Sequence, residues 1–405
     1  MNVLSVNKYF WKKGGSETVF FNEKEMLESA GHSVIPFSMK GNLNERSEYS
    51  KYFISEIDYS NSEFKNRLLS AAKIIYSFEA RRKMEELLLN SSVDVAHFHI
   101  FQHQISPSVF EPLFKSKTPI VLTLHDLKPI CPNYKMYVNG SVCEMCKGQK
   151  FYNCFKKRCT KGSALASLVN TVEMYFHYAM NYYQKVDRFV AVSEFYKDKM
   201  IEFGFPSDKI SCLPNYINVE DYDPFITEKG YFLYFGRLSE EKGISVVLDS
   251  AIKTPDIPYY IVGTGPLEGE LKEKVKERSI KNVKLIGFKS GDDLKKLLSE
   301  ATCTIVPSVW YENCPMTVLE SFASGRPVIG SKIGGIPELI NNRKDGLVFK
   351  TGNAEDLSQK VKWIWENRSE AKEMGMRGRK KVEEKFNAEK HYEGLMAVYN
   401  SVLDK

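Results

Sequence analysis

The sequence lacks any run of about eighteen apolar residues, the length that a membrane-spanning helix requires. It also lacks the basic, apolar and small-residue succession of a secretory signal peptide, because its start, MNVLSVNKYFWKKGG, indicates a short strand and a loop. No recognisable nucleic-acid module is present, which argues against a nucleic-acid partner. These absences predict a cytoplasmic protein, and they leave open peripheral attachment to the inner face of the cytoplasmic membrane.

Positive charge is concentrated in the first half of the chain. Residues 1–200 hold 27 lysines and arginines and 20 acidic residues, whereas residues 201–405 hold 30 and 31. A basic half suits a partner such as an anionic lipid surface, a phosphorylated substrate or nucleic acid. An ordinary solvated surface would give the same count.

Apolar runs typical of strands alternate with helical segments in two successive series. The first series contains NVLSVN, HSVIPFS, DVAHFHI, PIVLTLHD and RFVAVS. The second follows LPNYINVEDYDPF and contains YFLYFGRL, PYYIVGTG, NVKLIGF, CTIVPS, PVIGS and GLVF. This alternation predicts an α/β protein with two Rossmann-like domains, residues 1–218 and 219–385. Open α/β sheets bind ligands beyond the carboxyl ends of their strands, so two such domains facing each other would leave a binding cleft.

The last segment, residues 386–405, has apolar residues at helical spacing and no strand after it. These are Tyr392, Leu395, Met396, Tyr399 and Val402. We expect an amphipathic helix that serves packing.

Two loops have the composition of phosphate-binding turns. In YFGRLSEEKGIS, Arg237 follows a strand and Lys242 precedes a helix, which places two cations and helix N–H groups together as a diphosphate requires. In WKKGGSE, Gly14 and Gly15 would let backbone amides approach an anion closely. A surface loop with salt bridges and a plain turn are the alternatives. VGTGP has only two glycines of the Rossmann fingerprint and indicates a tight strand-to-helix turn.

Two glutamates, Glu312 and Glu320, lie in the segment YENCPMTVLE. Pro315 suits the first position of a helix, which places Glu312 in the preceding loop and Glu320 inside the helix. Even on a continuous helix, eight residues span roughly 12 Å, whereas the carboxyl groups of a retaining glycosidase lie about 5–5.5 Å apart. We therefore expect them to bind separate parts of one extended ligand, rather than to form an acid–base pair.

The order of these motifs resembles the retaining GT-B glycosyltransferases of family 4, the glycosyl transferases group 1. The motifs are GGSE, the HD pair at 125–126, GRLSEEKG, VGTGP and P-S-x-W-x-E-N-C-P-M-x-x-x-E followed by ASGRPVIGSKIGGIPELI. The likeness spans nearly the whole chain and is most specific over residues 231–350. It implies two domains facing across a cleft, a donor held mainly by the second domain, an acceptor held by the first, and a C-terminal helix crossing back to the first domain.

The resemblance also implies roles for individual residues. Arg237 and Lys242 would neutralise the donor diphosphate, and Glu320 would bind the ribose hydroxyls. Glu312, with the amides around Asn313 and Cys314, would bind the donor sugar. Gly15 would bring its amide to the β-phosphate, His125 would lie beside the sugar, and Phe288 and Lys289 would flank the base.

The implied chemistry is sugar transfer with retention and without a catalytic metal. The donor would be a nucleotide sugar, with a UDP- or GDP-sugar favoured, and the acceptor a glycan or a polyprenyl-diphosphate-linked sugar in surface polysaccharide or glycoconjugate synthesis. A sugar-nucleotide epimerase or a phosphorylase on the same fold is the alternative enzyme class. A non-enzymatic nucleic-acid binder would leave the glutamates and GRLSEEKG without a purpose.

Five cysteines lie within residues 131–159. Cys143, Cys146, Cys154 and Cys159 have the spacing of zinc ligands, and a cytoplasmic setting favours metal over disulfides. Structural zinc, disulfides and reduced core cysteines all remain open. The same loop is basic, which predicts contact with an anionic membrane.

Three further features are each compatible with more than one role. Residues 64–83 place Phe64, Leu68, Ala71, Ile75 and Phe78 on one helical face beside basic residues, which suits either a membrane interface or packing on the sheet. Residues 173–183 offer the same choice. His97, His99 and His103 alternate as on a strand and its exit loop, so a metal site, acceptor contact and plain packing are all compatible with them.

Overall fold

The computed structural model describes residues 1–57, 64–224 and 226–404, and of residues 64–68 the backbone alone. Its contacts divide the chain into two compact units. The first consists of Met1–Val138, Cys143–Leu213 and Tyr392–Lys405, and the second of Asn139–Val142 and Pro214–His391. Each unit has its own six-stranded parallel sheet, which confirms the prediction of two Rossmann-like domains.

The described residues before Pro214 form eight strands and seven helices, all of which belong to the first unit except the strand Ser141–Val142. The last helix of the chain joins this unit from Tyr392 onward. The strands are β1 (Asn2–Val6), β2 (Ser33–Phe37), β3 (Val95–Phe98), β4 (Ile120–Leu124), β5 (Tyr137–Val138), β6 (Ser141–Val142), β7 (Arg188–Ala191) and β8 (Ile210–Cys212). The helices are α1 (Gly15–Ser29), α2 (Phe64–Ile75), α3 (Phe78–Asn90), α4 (Phe110–Ser116), α5 (Tyr152–Lys156), α6 (Ala164–Ala179) and α7 (Glu194–Glu202). The main sheet has the order β2-β1-β3-β4-β7-β8, and β5 and β6 pair separately.

The described residues from Pro214 onward form six strands and eight helices, which belong to the second unit except for the part of the last helix beyond His391. The strands are β9 (Phe232–Phe235), β10 (Tyr259–Val262), β11 (Val283–Gly287), β12 (Cys303–Val306), β13 (Val328–Ser331) and β14 (Gly346–Phe349). The helices are α8 (Ile244–Lys253), α9 (Glu268–Glu277), α10 (Gly291–Glu300), α11 (Met316–Ala323), α12 (Ile336–Leu339), α13 (Ala354–Glu366), α14 (Arg368–Lys385) and α15 (Ala388–Leu403). The strand order is β11-β10-β9-β12-β13-β14.

This order gives each sheet one position at which open α/β sheets form a ligand crevice. In the second unit the chain starts at β9, builds outward to β11 and then returns to β12 on the other side of β9. Loops that leave two such neighbouring strands diverge, and ligands of open α/β sheets bind where they part. The corresponding neighbours in the first unit are β1 and β3.

The end of α15 completes the core of the first unit. Leu395, Val398, Tyr399 and Val402 are buried in one cluster with residues of β1, α1, β3 and β4. Since these positions recur at helical spacing, the predicted amphipathic helix is observed.

One sequence-based expectation about helices needs correction. Residues 64–83 form two helices rather than one, because the hydroxyl of Ser77 accepts a hydrogen bond from the amide of Ala80 and caps a new helix, α3. The side chains of Phe64 and Leu68, on which the predicted face partly depends, lie outside the described residues.

In the part of the chain that is described, no helix is long and apolar enough to cross a membrane.

Candidate functional site

The loop after β9 is held tightly against the loop after β12. Gly243, which precedes α8, has a φ of 69°, and a Cβ atom there would lie 2.0 Å from the carbonyl oxygen of Pro307. Only glycine fits this contact and this backbone conformation without strain. The amide of Val309 also donates to the carbonyl of Glu241. The two loops that leave β9 and β12 therefore form one rigid structure.

This contact brings Lys242 to Glu312. The Nζ atom of Lys242 lies 2.7 Å from Oε1 of Glu312, and the Oγ of Ser308 donates to the same oxygen at 2.5 Å. Glu312 is only 5% exposed. Burial alone would raise the pKa of Glu312, but the charge and hydrogen bond of Lys242 and the hydroxyl of Ser308 outweigh it and lower that pKa. Glu312 is thus a buried, ionised carboxylate, and sequence reasoning had not paired it with Lys242.

The backbone around Glu312 is fixed from a third loop. A Cβ atom at Gly334, after β13, would lie 2.4 Å from the carbonyl oxygen of Glu312, and the amide of Gly335 donates to that oxygen at 2.8 Å. The amide of Cys314 donates to the side chain of Asn313 at 2.6 Å, while the Cys314 thiol is buried. An amide predicted to bind donor sugar is therefore already hydrogen-bonded in this structure.

Glu320 has a different environment from Glu312. It lies on α11, which begins one residue later than predicted, with Pro315 just before it. Burial raises the pKa of Glu320 to about 7, against an opposing hydrogen bond with Tyr222 and the charge of Lys295. The two glutamates thus have separate partners and opposite pKa shifts.

Three other predicted donor residues, Arg237, Phe288 and Lys289, are positioned apart from the ion pair of Lys242 and Glu312 in the hydrogen-bond network of the described residues. Arg237 is exposed at the mouth of β9, where its carbonyl accepts a hydrogen bond from the hydroxyl of Tyr234 at 2.7 Å. Phe288 is 69% exposed just beyond β11, and Lys289 forms a 3.1 Å ion pair with Asp293. Among the described residues, no hydrogen bond joins Arg237, Phe288 or Lys289 to Lys242 or Glu312.

The glycines of VGTGP are required by packing. A Cβ atom at Gly263 would lie 1.9 Å from the carbonyl oxygen of Gly236, and one at Gly265 would lie 2.3 Å from that of Leu238. The loops after β9 and β10 therefore approach through their backbones. This close approach accounts for both glycines without a ligand.

In the first unit, Gly14 and Gly15 lie at the start of α1, which begins two residues before the position near Glu17 that the sequence indicated. Gly14 is the N-cap and Gly15 the first helical residue, and both are exposed. The buried carboxylate of Glu17 lies beside them, with an oxygen 3.5 Å from the position of a Cβ on Gly14. An acidic side chain in the first turn is favoured by the helix dipole.

His125, at the end of β4, belongs to a cluster of histidines. Its Nε2 lies 3.0 Å from Nδ1 of His99, and the two rings are stacked. Nε2 of His99 lies 3.5 Å from a carboxylate oxygen of Glu23 on α1. Sequence reasoning singled out His99 and His125 separately, but it missed Glu23 because a polar residue in a helix carries no signal of what it faces.

His97 is buried next to this cluster and is bound on both sides of its ring. Its Nδ1 lies 2.8 Å from the hydroxyl of Tyr399 and its Nε2 lies 2.7 Å from that of Thr123. Among the described residues, Glu23, His97 and His99 are the one group of three or more potential metal ligands whose atoms lie within 4.8 Å of one another. Because both nitrogens of His97 already have partners, this arrangement favours plain packing over metal binding.

Five cysteines line a single small cavity in the loop between β4 and α6. The cavity has a volume of about 10 Å³, enough for roughly one water-sized group. Cys131 lines it together with the four predicted ligands, Cys143, Cys146, Cys154 and Cys159. The described cysteines form no disulfide. Their sulfur atoms do not converge as tightly as the Glu23 group, so an ion would have to draw them closer.

Comparison with known proteins adds family matches that together span residues 13–381. Residues 13–221, just over half of the chain, match the family described as Glycosyltransferase Family 4. Residues 221–381 match the family described as Glycosyl transferases group 1.

Two curated relatives and one solved structure are informative. The amylovoran biosynthesis glycosyltransferase AmsK of Erwinia amylovora is 28% identical over 221 residues, 51% of this chain and 54% of that protein, so the chain spans about half of its length. An uncharacterised 42.6 kDa protein in the cps region of Klebsiella pneumoniae is 26% identical over 355 residues, 84% of this chain and 87% of that protein. HepE of Anabaena, solved in complex with UDP and glucose, superposes with a TM-score of 0.68 at 14% identity over 99% of this chain and 100% of that one, which shows a shared GT-B fold.

Proposed function

The chain belongs to Glycosyltransferase Family 4, and from this premise we propose that it transfers a sugar from a nucleotide-sugar donor to a glycan or lipid-linked acceptor with retention of configuration. The observation that carries the proposal is the ion pair of Lys242 and Glu312 at the crevice between β9 and β12. The pair provides a cation that can bind phosphate and an ionised carboxylate that can bind sugar hydroxyls. Both side chains are held in place because Gly243 lets the loop after β9 pack directly against the loop after β12.

We assign the donor contacts as follows. Arg237, exposed, and Lys242 bind the diphosphate, while Glu312 binds the hydroxyls of the donor sugar with the amides near Asn313 and Cys314. Glu320 binds the ribose, and Phe288 and Lys289 flank the base. Gly15 offers its amide to the β-phosphate, and His125 lies beside the donor sugar.

In the proposed reaction the bond between the anomeric carbon and the diphosphate oxygen breaks first. The oxocarbenium-like sugar is then attacked by the acceptor hydroxyl on the face that the diphosphate leaves. The proton of that hydroxyl passes to an oxygen of the leaving diphosphate, so nucleoside diphosphate is the second product. Arg237 and Lys242 stabilise the negative charge that develops on the diphosphate, and the reaction therefore needs no divalent metal.

The nucleotide and the acceptor are narrower proposals. HepE, which shares the fold, is solved with UDP and glucose, which supports a UDP-sugar over a GDP-sugar. AmsK is named for amylovoran biosynthesis, which supports a role in surface polysaccharide synthesis. We propose that the acceptor is linked to a polyprenyl diphosphate and that the protein works at the inner face of the cytoplasmic membrane.

We further propose one structural zinc ion in the cysteine cavity, separate from catalysis. Thiolates are preferred zinc ligands, and a cavity lined by five cysteines offers more of them than the four that zinc needs. Cys143, Cys146, Cys154 and Cys159 are the proposed ligands, and Cys131 is the alternative fourth. Because a Zn–S bond is about 2.3 Å, binding would contract the loop around the ion.

Thermal-shift screening against UDP-, GDP-, ADP- and dTDP-sugars tests the donor class, because a ligand that binds only the folded chain raises its melting temperature. We expect one nucleotide to stabilise the protein and its diphosphate to be released on adding acceptor lipid extract. Stabilisation by none of the four would contradict the proposal, and so would consumption of orthophosphate.

A further inference from the structure

An apolar stripe runs along the outer side of α6. Leu165, Leu168, Val172 and Tyr175 are each between 41% and 51% exposed. They recur every three or four residues and therefore share one face of the helix. The opposite face is buried and mostly polar, with Met174 among Ser167, Asn170, Thr171, Glu173 and His177. A helix that only covers its own sheet would bury its apolar residues and present polar residues to solvent, and α6 shows the reverse.

Helix α5 extends this stripe. The backbone amide of Tyr152 donates to the hydroxyl of Tyr175 at 3.3 Å, so the start of α5 adjoins the end of the stripe. Tyr152 and Phe155 are each 43% exposed. We call these residues together the α5–α6 face: Tyr152, Phe155, Leu165, Leu168, Val172 and Tyr175.

The α5–α6 face lies in a segment with exposed charge of one sign. Residues 145–180 contain six basic residues, all exposed: Lys147, Lys150, Lys156, Lys157, Arg158 and Lys161. The one acidic residue in this segment is Glu173, which is fully buried and forms a 2.6 Å ion pair with the equally buried Lys128. Of the six, Lys147 pairs with Glu202, and among the described residues the other five form no salt bridge. The Nζ of Lys156 lies 4.8 Å from the ring of Tyr152, so charge and apolar surface are continuous.

We propose that the α5–α6 face docks the protein on an anionic lipid bilayer. Apolar and aromatic side chains next to lysines and arginines are the composition of helices that lie in a membrane interface. A second copy of the chain docked face to face would bring two basic surfaces together, which charge repulsion opposes. The proposal deepens the membrane-linked acceptor of the proposed function and rests on it, since a lipid-linked acceptor must be reached at a bilayer.

Vesicle flotation with the full chain tests this surface, using phosphatidylglycerol–phosphatidylcholine vesicles against phosphatidylcholine alone. One variant combines Leu168→Ser with Val172→Ser, and a second replaces Lys156, Lys157 and Arg158 by Ala. The matched controls are Leu43→Ser with Leu89→Ser, which are exposed apolar residues elsewhere in the first unit, and Lys276, Lys281 and Lys296→Ala, which change the net charge equally.

We expect the basic variant to bind anionic vesicles about a hundredfold more weakly, because each basic residue near an anionic surface contributes about fivefold. The apolar variant should bind about tenfold more weakly and keep its salt dependence. Both controls should bind like the unchanged chain. All five proteins should bind nucleoside diphosphate equally by calorimetry, which separates loss of docking from loss of the donor site.

Three results would overturn the proposal. Equal weakening by the Lys276, Lys281 and Lys296 control would show that net charge acts rather than this surface. Equal binding to phosphatidylcholine vesicles and to phosphatidylglycerol-containing vesicles would show that anionic lipid is not the partner. A dimer in sedimentation analysis that Leu168→Ser with Val172→Ser dissociates would assign the face to a second copy of the chain.

Discussion

The crevices of the two sheets contain opposite kinds of polar chemistry. Between β9 and β12, the polar groups carry permanent charge: Arg237 is exposed, and Lys242 pairs with the buried, ionised Glu312. Next to β1 and β3, the side chains are histidines that hydrogen-bond to one another and to hydroxyls, and they are buried or half-buried. Fixed cations suit a ligand that is always charged, such as a diphosphate, whereas imidazoles suit a ligand of neutral hydroxyls. The comparison shows that the shared strand order determines where a ligand can bind, whereas the loops after the strands determine which functional groups it meets.

The largest expected effects are those of replacing Arg237 and Lys242, because Arg237 is exposed whereas Lys242 is partly buried. Lys242→Met should destabilise the chain by about 3 kcal/mol, because it leaves the buried charge of Glu312 without its partner. It should also lower the transfer rate by about a hundredfold. Arg237→Met should lower the rate by about tenfold or more and leave stability unchanged. Urea unfolding measures the stability of the two variants, and steady-state kinetics measure their transfer rates. Equal stability of the two variants would contradict the claim that Lys242, unlike Arg237, neutralises a buried charge.

Substitutions of the two glutamates should impair different steps, nucleotide binding for Glu320 and turnover for Glu312. Glu320→Gln should weaken bare nucleoside diphosphate as much as the whole donor, by about tenfold. Glu312→Gln should leave nucleoside diphosphate affinity nearly unchanged and lower turnover by one to two orders of magnitude, since interactions strengthened in the transition state appear in kcat. Calorimetric affinity and transfer rates across pH measure this. Equal loss of nucleotide affinity, or loss of a titrating limb of kcat at saturating donor in either variant, would contradict the separation of roles.

Glu320 should also make both nucleotide affinity and stability depend on pH. Its pKa of about 7 lies above the value in the unfolded chain, so protonation of Glu320 favours the folded state. This contribution is complete below about pH 4.5 and is lost as the pH rises through 7. If ribose hydroxyls donate to the ionised carboxylate as proposed, nucleoside diphosphate affinity should rise through the same range. Glu320→Gln, compared by calorimetry and thermal unfolding, should remove both trends; a variant that retains them would assign the trends to another group.

In the first unit, His125→Asn should lower turnover by about tenfold with nucleotide affinity retained, if its imidazole lies beside the sugar as proposed. His99→Gln should have a smaller effect of about threefold, because it acts only through the hydrogen bond to His125. The control is Leu89→Ser on the exposed side of α3. A His99→Gln variant more impaired than His125→Asn would make His99 the group that contacts substrate.

The smallest expected effect is that of chelation. Transfer should persist in EDTA while the cysteine cavity keeps about one zinc per chain, measured by metal analysis of freshly purified protein. Recovery of a lost rate on adding magnesium or manganese would show that the cations of the second unit are insufficient. Substoichiometric zinc would remove the proposed zinc site and leave the cysteines as core residues.

The sequence predicted the sheets well because buried parallel strands are short, continuous apolar runs between loops. It missed β8, whose three residues, ISC, are too short to show a pattern. At the site, the residue types and their loops were predictable, whereas the pairing of Lys242 with Glu312 depends on two strands becoming neighbours. Ser308 is the serine of the P-S-x-W-x-E motif, so its hydrogen bond to Glu312 could have been predicted from the sequence. Tyr222 offered no signal, since its contact with Glu320 arises only from packing.

The return of α15 to the first unit has a consequence for synthesis of the chain on the ribosome. Domains that are continuous in sequence fold one after another as they emerge, the amino-terminal one first. Here the core around β1 and β3 lacks Leu395, Val398 and Tyr399 until residues 214–391 have been translated. The nascent first unit therefore remains incomplete, with part of its apolar surface uncovered, while the second unit is synthesised. A stop codon just before Leu395 would harm the half of the protein that was translated first.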